Sequence, residues 1–436
     1  MTNHSVAPDR ESGFIAVNQL RIGMFVELEL GWMAHPFPTG SFKISSEKQI
    51  DVIRSLGLTR VRYLPHKSDP APDQVDAQAG ALVGDAAATP AAADDTRAED
   101  LRRHHAALIA AQQKSLLTCD RRFGEAIRQY RQVVDTVATK PQGVREQCLQ
   151  MVGGFVGELM ADGESSIRLL SEGMGDRATM HPINVMVLSL LLGKSLDLPE
   201  PDLLDLGLAA FLHDIGKTLL PVRVRWFEDS FSSAEYKLYQ DHVAQSVGIC
   251  QRMELSKGAL LVVAQHHELA DGSGFPAKLK SDRISPVAKV LALVNRYDNL
   301  CNPSKPSAAI TPHEALALIF AQHQSRFDPP VLSAFIRMMG VYPPGSVVQL
   351  VDERYALVVS VNSSRPLKPK IIVYERSVPK EEALILDLEQ APAMGIRRSL
   401  KPSALPREAL DYLSPRQRMC YFFEHAVDRD LAEPQP

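Results

Sequence analysis

The chain has 436 residues, more than one hydrophobic core usually organises, so two or three domains are expected. Apolar residues at 45% and charged residues at 23% exclude wholesale disorder. The 48 basic against 52 acidic side chains give a net charge of −4, leaving no basic surplus with which to grip a nucleic-acid polymer. The opening MTNHSVAPDR lacks the basic-then-apolar pattern of a signal segment. The most apolar stretch, Ile183 to Leu192, carries Asn184 and Ser189 and is about half the ~20 residues needed to cross a bilayer. The five cysteines, Cys119, Cys148, Cys250, Cys301 and Cys420, are scattered and form no disulfide framework. A soluble protein of a reducing compartment, the cytoplasm, is expected.

In chain order, residues 1–67 read as a small α/β module. Phe14 to Val17 and Met24 to Leu30 have strand character, Gly23 punctuates them, and Ser45 or Ser46 caps a helix running to Leu56. Gly57 suits the helix terminus, Thr59 to Leu64 resumes strand character, and Trp32, His35, Pro36 and Phe37 cover the module's core. Residues 68–98, dominated by Ala, Asp and Pro, read as a flexible linker. Residues 99–340 form a helical domain, with a helical pattern from Glu99 to Gly173 broken once at Lys140-Pro141-Gln142-Gly143. After Tyr342-Pro343-Pro344-Gly345 the runs VVQLV, YALVVSV and KIIVYE have strand length, so residues 341–436 read as a β annex whose tail ends in a helix near Cys420 to Val427.

Five of the 13 histidines lie in unusual settings. His181 opens an apolar helix, with Thr179 as its cap and Pro182 in the first turn. His213-Asp214 ends the helix LLDLGLAAFL, with Gly216 as the stop and Lys217 beyond it. His242 lies on the helix begun by the capping box Ser232-x-x-Glu235. His266-His267 ends LLVVAQ, and the loop Asp271-Gly272-Ser273-Gly274-Phe275-Pro276 follows. Singly, each histidine is more simply a packing or helix-end residue. Together they would each need a polar partner if buried, and shared coordination satisfies all of them. Imidazole with carboxylate suits Fe, Mn, Zn, Co or Ni better than Mg or Ca, so the set points to a metal centre.

The order His, HDIGK, His, HHE, DGSGFP resembles the HD-GYP subgroup of the HD phosphohydrolase superfamily, from about Asp176 to Gly340. GMFVELELGWMAHPF with FKIS resembles the small N-terminal domain that often precedes it. The resemblance implies a mainly α fold: a helical HD-type metal-dependent phosphohydrolase core, with the α/β module before it and the β annex after it. It implies hydrolysis of the bacterial second messenger cyclic di-GMP to linear pGpG or GMP on two divalent transition-metal ions. Carried over by position, His181, His213, Asp214, His242, His266, His267 and Asn295 would ligate metal, with Asp214 bridging. Lys217, Phe275 and Lys305 would contact substrate, Lys217 and Asp214 would be catalytic, and Glu268 and Asp271 would orient histidines.

The chain departs from the family pattern at four places. Phe275 stands for a tyrosine, Arg177 for a glutamate that serves a third ion, Asn295 for an aspartate ligand, and Ser304-Lys305-Pro306-Ser307 for an Arg-Pro-Tyr phosphate grip. Arg177 therefore limits the centre to two metals, while Asn295 weakens it and Asp298, one turn on, is a candidate substitute. Alternative readings are a receptor or scaffold that binds cyclic di-GMP or signalling proteins without turnover, and a phosphohydrolase of another nucleotide. The partner classes are a cyclic dinucleotide and signalling proteins or a second copy of the chain.

Overall fold

The computed structural model describes residues 13–28, 41–56, 58–69, 91–161, 165–362, 368–391 and 394–425. Gly57 and the cluster at Trp32, His35, Pro36 and Phe37 lie outside the described residues. The N-terminal module comprises β1 (Gly13–Ala16), β2 (Phe25–Glu27), β3 (Ser41–Lys43), α1 (Glu47–Ser55) and β4 (Arg60–Tyr63), its antiparallel sheet ordered β1-β4-β2-β3. Ser46 caps α1 by accepting from the Gln49 amide. Ile50 and Ile53, one turn apart, then bury against Val26, Ile44 and Val61. The start of the stretch read as linker belongs to this module: Ser68 Oγ accepts from Phe25 N at 2.8 Å and donates to the Leu64 carbonyl at 2.8 Å.

The far end of that stretch is also ordered. Helix α2 (Ala91–Thr136) begins at an alanine run, the residue type with the best helix propensity. It continues into the packed positions Phe123, Ala126, Ile127, Tyr130 and Val133. Helix α3 (Pro141–Met160) opens with its proline in the first turn. The helical reading up to Gly173 fails at β5 (Ser165–Leu169), a wholly buried strand, because its pairing partners lie far along the chain.

Helix α4 (Arg177–Ser195) is the axis of the molecule, buried continuously from Thr179 to Gly193. Its cap is Asp176, whose carboxylate accepts from Thr179 N at 3.1 Å, so Thr179 is an interior residue and not the cap. Pro182 accordingly lies inside the helix and beyond the first turn; packing on every side holds the turn that lacks its N–H. The helices that follow are α5 (Glu200–Leu212), α6 (Ser233–Gln240), α7 (His242–Arg252), α8 (Lys257–Gln265), α9 (Pro286–Cys301), α10 (Pro312–Gln322) and α11 (Pro329–Met339), of which α5, α9 and α11 pack directly on α4. The Ser232–Glu235 capping box forms as read, but its helix ends at Gln240 and His242 opens the next one.

Strands β6 (Val347–Leu350), β7 (Tyr355–Asn362), β8 (Lys370–Val373), β9 (Ile385–Asp387) and β10 (Ile396–Leu400), helix α12 (Arg407–Leu413) and strand β11 (Tyr421–His425) complete the described residues. The second sheet runs β10-β6-β7-β5-β11, with β8 on β7 and β9 on β8. The annex is therefore joined to the helical region through β5. Among the described residues the tail ends in a strand and not in the expected helix: Tyr421, Phe422 and Phe423 are favourable strand residues and bury completely against β5 and the helices. Among the described residues no helix is long and apolar enough to cross a membrane.

Gly216 does not simply stop α5. It lies in the 3₁₀ turn Ile215–Leu219, where a Cβ would meet the His242 carbonyl oxygen at 2.3 Å and Ser246 N at 2.4 Å. Thermal melts should show Gly216→Ala destabilised by about 1–3 kcal/mol. Gly154→Ala, where a Cβ meets nothing within 4 Å on helix α3, should instead gain about 0.5–1 kcal/mol.

Candidate metal centre

Three helix ends and one helix interior converge on Asp214. His213 caps the C-terminus of α5, His266 caps that of α8, and His242 follows the end of α6. In each, Nδ1 donates to the carbonyl three residues earlier: His213 to Ala210 at 2.8 Å, His242 to Tyr239 at 2.5 Å and His266 to Val263 at 2.7 Å. Terminal helical carbonyls lack intrahelical donors, so this contact satisfies them and fixes the imidazole tautomer. His181, inside α4, instead donates Nδ1 to Asp298 Oδ2 at 2.5 Å.

All four Nε2 atoms therefore carry lone pairs, and they face one another. His181 and His213 Nε2 are 3.2 Å apart, and His242 and His266 Nε2 are 3.3 Å apart. Asp214 lies between the pairs. Its Oδ2 is 3.5 Å from His181 Nε2 and 3.5 Å from His213 Nε2, and its Oδ1 is 3.5 Å from His242 Nε2 and 3.9 Å from His266 Nε2. Asp214 Oδ1 and His267 Nε2 are buried without a hydrogen-bond partner. Two groups of donor atoms result, each within 4.8 Å: His181, His213 and Asp214, and Asp214, His242, His266 and His267.

Opposed lone pairs and orphaned acceptors repel unless a cation lies between them, and these residues fit a metal. Two nitrogens each ~2.1 Å from one ion and about 100° apart are roughly 3.2 Å from one another, as both imidazole pairs are here. Burial pushes the His213, His242 and His266 imidazoles down to about 3 and His267 well below its usual value, so all four stay in the neutral, ligating form at pH 7. Burial opposes ionisation of Asp214, but the charge of Lys217 beside it holds its pKa well below the ordinary carboxylate value. With the imidazoles neutral, Lys217 is the charged partner, its Nζ 2.5 Å from Asp214 Oδ2.

Aromatic rings wall the centre. Phe275 stacks on His267 with centroids 4.4 Å apart and an interplanar angle of 23°. Tyr239 lies 4.9 Å from the His242 ring, and Lys217 Nζ stands 5.3 Å from the Tyr239 centroid. Gly274 lets the loop close down on the helix end, since a Cβ there would meet Leu269 N at 2.4 Å and His267 O at 2.5 Å.

Several expected roles change. Glu268 orients no histidine; its two oxygens accept from Ala277 N at 2.6 Å and Leu279 N at 2.7 Å and so hold the loop. Asp271 closes a local turn on the Ser273 amide and hydroxyl, as short polar side chains in loops do. Lys305 is 63% exposed and paired to Glu228 at 3.0 Å. Asn295 Oδ1 accepts from Asn299 Nδ2 of its own helix at 2.6 Å. Asp298 supports His181, with its other oxygen accepting from Asn184 Nδ2 and Asn302 Nδ2, both at 2.9 Å. Sequence reasoning missed Tyr239, Asn184 and Asn302; the repeated asparagines around Asp298 are the one signal that could have flagged the last two.

The fold and centre define a helical domain with a His/Asp cluster that could hold metal. A family model of the HD domain matches residues 165–331, and one of DUF3391, a domain of unknown function, matches residues 14–148. The chain thus carries a segment that matches the HD domain and, on its N-terminal side, one that matches DUF3391. It is 28% identical over 370 residues to a cyclic di-GMP phosphodiesterase of Pseudomonas aeruginosa, covering 83% of this chain and 84% of that protein. It is 30% identical over 150 residues to a cyclic di-GMP phosphodiesterase response regulator of Xanthomonas campestris, covering 34% of this chain and 39% of that one. It is 26% identical to a 3'3'-cGAMP-specific phosphodiesterase of Vibrio cholerae, over 37% and 35% of the two chains. A solved HDG"Y"P protein from Bdellovibrio bacteriovorus aligns over 74% of this chain and 98% of that one, with a TM-score of 0.43 and 16% identity.

Asp298→Asn removes the charge that orients His181 and should lower metal affinity by about 10- to 100-fold, measured by competition with a chromophoric chelator. Asn302→Ala leaves the Met419 carbonyl and Asp298 Oδ1 each one donor short. The melting temperature should fall by the equivalent of about 1–3 kcal/mol.

Proposed function

We propose that the protein is a metal-dependent phosphodiesterase that opens cyclic di-GMP to linear pGpG or GMP. The observation that carries this reading is the pair of donor groups sharing Asp214, each with imidazole lone pairs turned toward a common point. The names of the Pseudomonas and Xanthomonas relatives supply the substrate class.

In this reading His181, His213 and Asp214 hold one divalent transition-metal ion, and Asp214, His242, His266 and His267 hold a second. Bound ions of this kind supply Lewis acidity toward phosphoryl oxygens and make water acidic enough to act as a nucleophile near neutral pH. The rest is done by the chain. Lys217, pinned to Asp214, holds a positive charge beside the reacting phosphate. Phe275 and Tyr239 exclude solvent and keep the His242 and His267 rings in place. Asn295 is left out of the ligand set, because its oxygen is engaged within its own helix.

Metal content and nucleotide products measured together on protein loaded with Mn, Fe or Zn test the reading. Asp214→Ala should lose both metal and turnover, whereas Phe275→Tyr, which keeps the stacked ring, should retain turnover within about threefold. Turnover that survives Asp214→Ala or chelation overturns the mechanism. Binding of cyclic di-GMP with metal bound and no turnover would select a receptor, and faster cleavage of 3'3'-cGAMP would move the substrate. Asn295→Asp should leave metal stoichiometry unchanged; a rise would return that position to the ligand set.

A further inference from the structure

We infer that Arg177 is an anion receptor beside the metal centre, placed to take the second, non-reacting phosphodiester of a cyclic dinucleotide. The inference rests on the function proposed above. Arg177 opens α4 and is clamped at the C-terminal end of α9: Nε donates to the Asn302 carbonyl at 2.7 Å, and Nη2 donates to Asn299 Oδ1. Its guanidinium lies over the Trp226 ring, 4.2 Å from the centroid. Both hydrogen-bond acceptors are neutral, so these contacts fix the fork without cancelling its charge. Nη1 is buried with no hydrogen-bond partner among the described residues.

A guanidinium cannot shed its proton to escape such a position, so the free N–H calls for an acceptor. Lys217 Nζ lies 5.1 Å from the same Trp226 centroid and is bound to Asp214. One indole thus links the cation at the metal centre to the cation at Arg177. A cyclic dinucleotide carries two phosphodiester anions in one ring. With one phosphodiester at Lys217 and the metals, the other needs a separate counter-charge. Lys305, which the sequence offered for that task, is paired to Glu228 at the surface. Arg177 is rigid and held from an element outside the Ser304–Ser307 loop, and its planar fork suits a phosphodiester better than an ammonium does.

The test compares cyclic di-GMP, with two phosphodiesters, and bis(p-nitrophenyl) phosphate, with one, on metal-loaded wild type, Arg177→Gln and Arg177→Lys. Arg177→Gln should raise KM for cyclic di-GMP by about 10- to 100-fold, the loss of one charge-assisted hydrogen bond, with a far smaller change in kcat. The KM effect on the single-phosphate substrate should be at least about tenfold smaller. Arg177→Lys, which keeps charge and loses the fork, should fall between. An equal KM effect on both substrates, a loss confined to kcat, or a parallel loss of metal overturns the assignment. If wild type fails to turn over cyclic di-GMP, the proposed function falls. Arg177 is then judged by the dissociation constant of cyclic di-GMP: an unchanged value in Arg177→Gln overturns the receptor role, and a tenfold weakening upholds it.

Discussion

Four imidazole lone pairs directed at each other across one carboxylate are the constraint on which the rest of the domain depends. The arrangement follows from a device used three times. A histidine at a helix end donates Nδ1 to the carbonyl three residues back, and its Nε2 then points away from the helix. Three helix termini must therefore meet at a point. Gly216 is where that convergence is tightest, with backbone approaching backbone at a distance that no other side chain permits.

His181 does not use this device: it lies within a helix, and its Nδ1 donates to a carboxylate. Its orientation comes from Asp298, and that carboxylate is held in turn by Asn184 and Asn302. The same two asparagines donate to the Met419 carbonyl at 2.6 and 2.8 Å and accept from Tyr421 N and Met419 N at 3.0 and 2.8 Å. One face of the metal centre is thus supported by the backbone leading into β11, nearly a hundred residues beyond the end of the matched HD region. The C-terminal segment is part of the scaffold that aims a ligand.

What the sequence made legible was whatever is local. His213-Asp214 and His266-His267 are adjacent pairs at the ends of apolar runs, and the Ser232–Glu235 capping box announced the helix before His242. Asn295 and Asp298 are three residues apart on α9 and so share a face, and periodicity alone cannot say which of them reaches a partner. The structure separates them, with Asp298 turned to His181 and Asn295 to Asn299. Strands β5 and β11 pair across some 250 residues of chain, a non-local choice that their composition does not encode. The helical start at Ala91 was hidden for a different reason: alanine-rich sequence reads as low complexity, yet it extends a helix whose later turns are packed.

Charge balance connects the metal centre to its surroundings. In the proposed ligand set one carboxylate and five neutral imidazoles would face two divalent cations, so most of the ionic charge is left for other anions to neutralise. Lys217 adds to that excess, and so does Arg177, which stands where the resemblance places an acidic ligand for a further ion. A site of this composition holds its metals less tightly than a carboxylate-rich one would, and it attracts phosphodiesters more strongly. The two affinities are then thermodynamically linked: an anion that neutralises the excess tightens the ions, and the ions tighten the anion by the same factor. In the proposed reading Arg177, standing in place of an acidic residue, thus shifts binding energy from the ions toward the anionic ligand, while the imidazole geometry that would position those ions is retained.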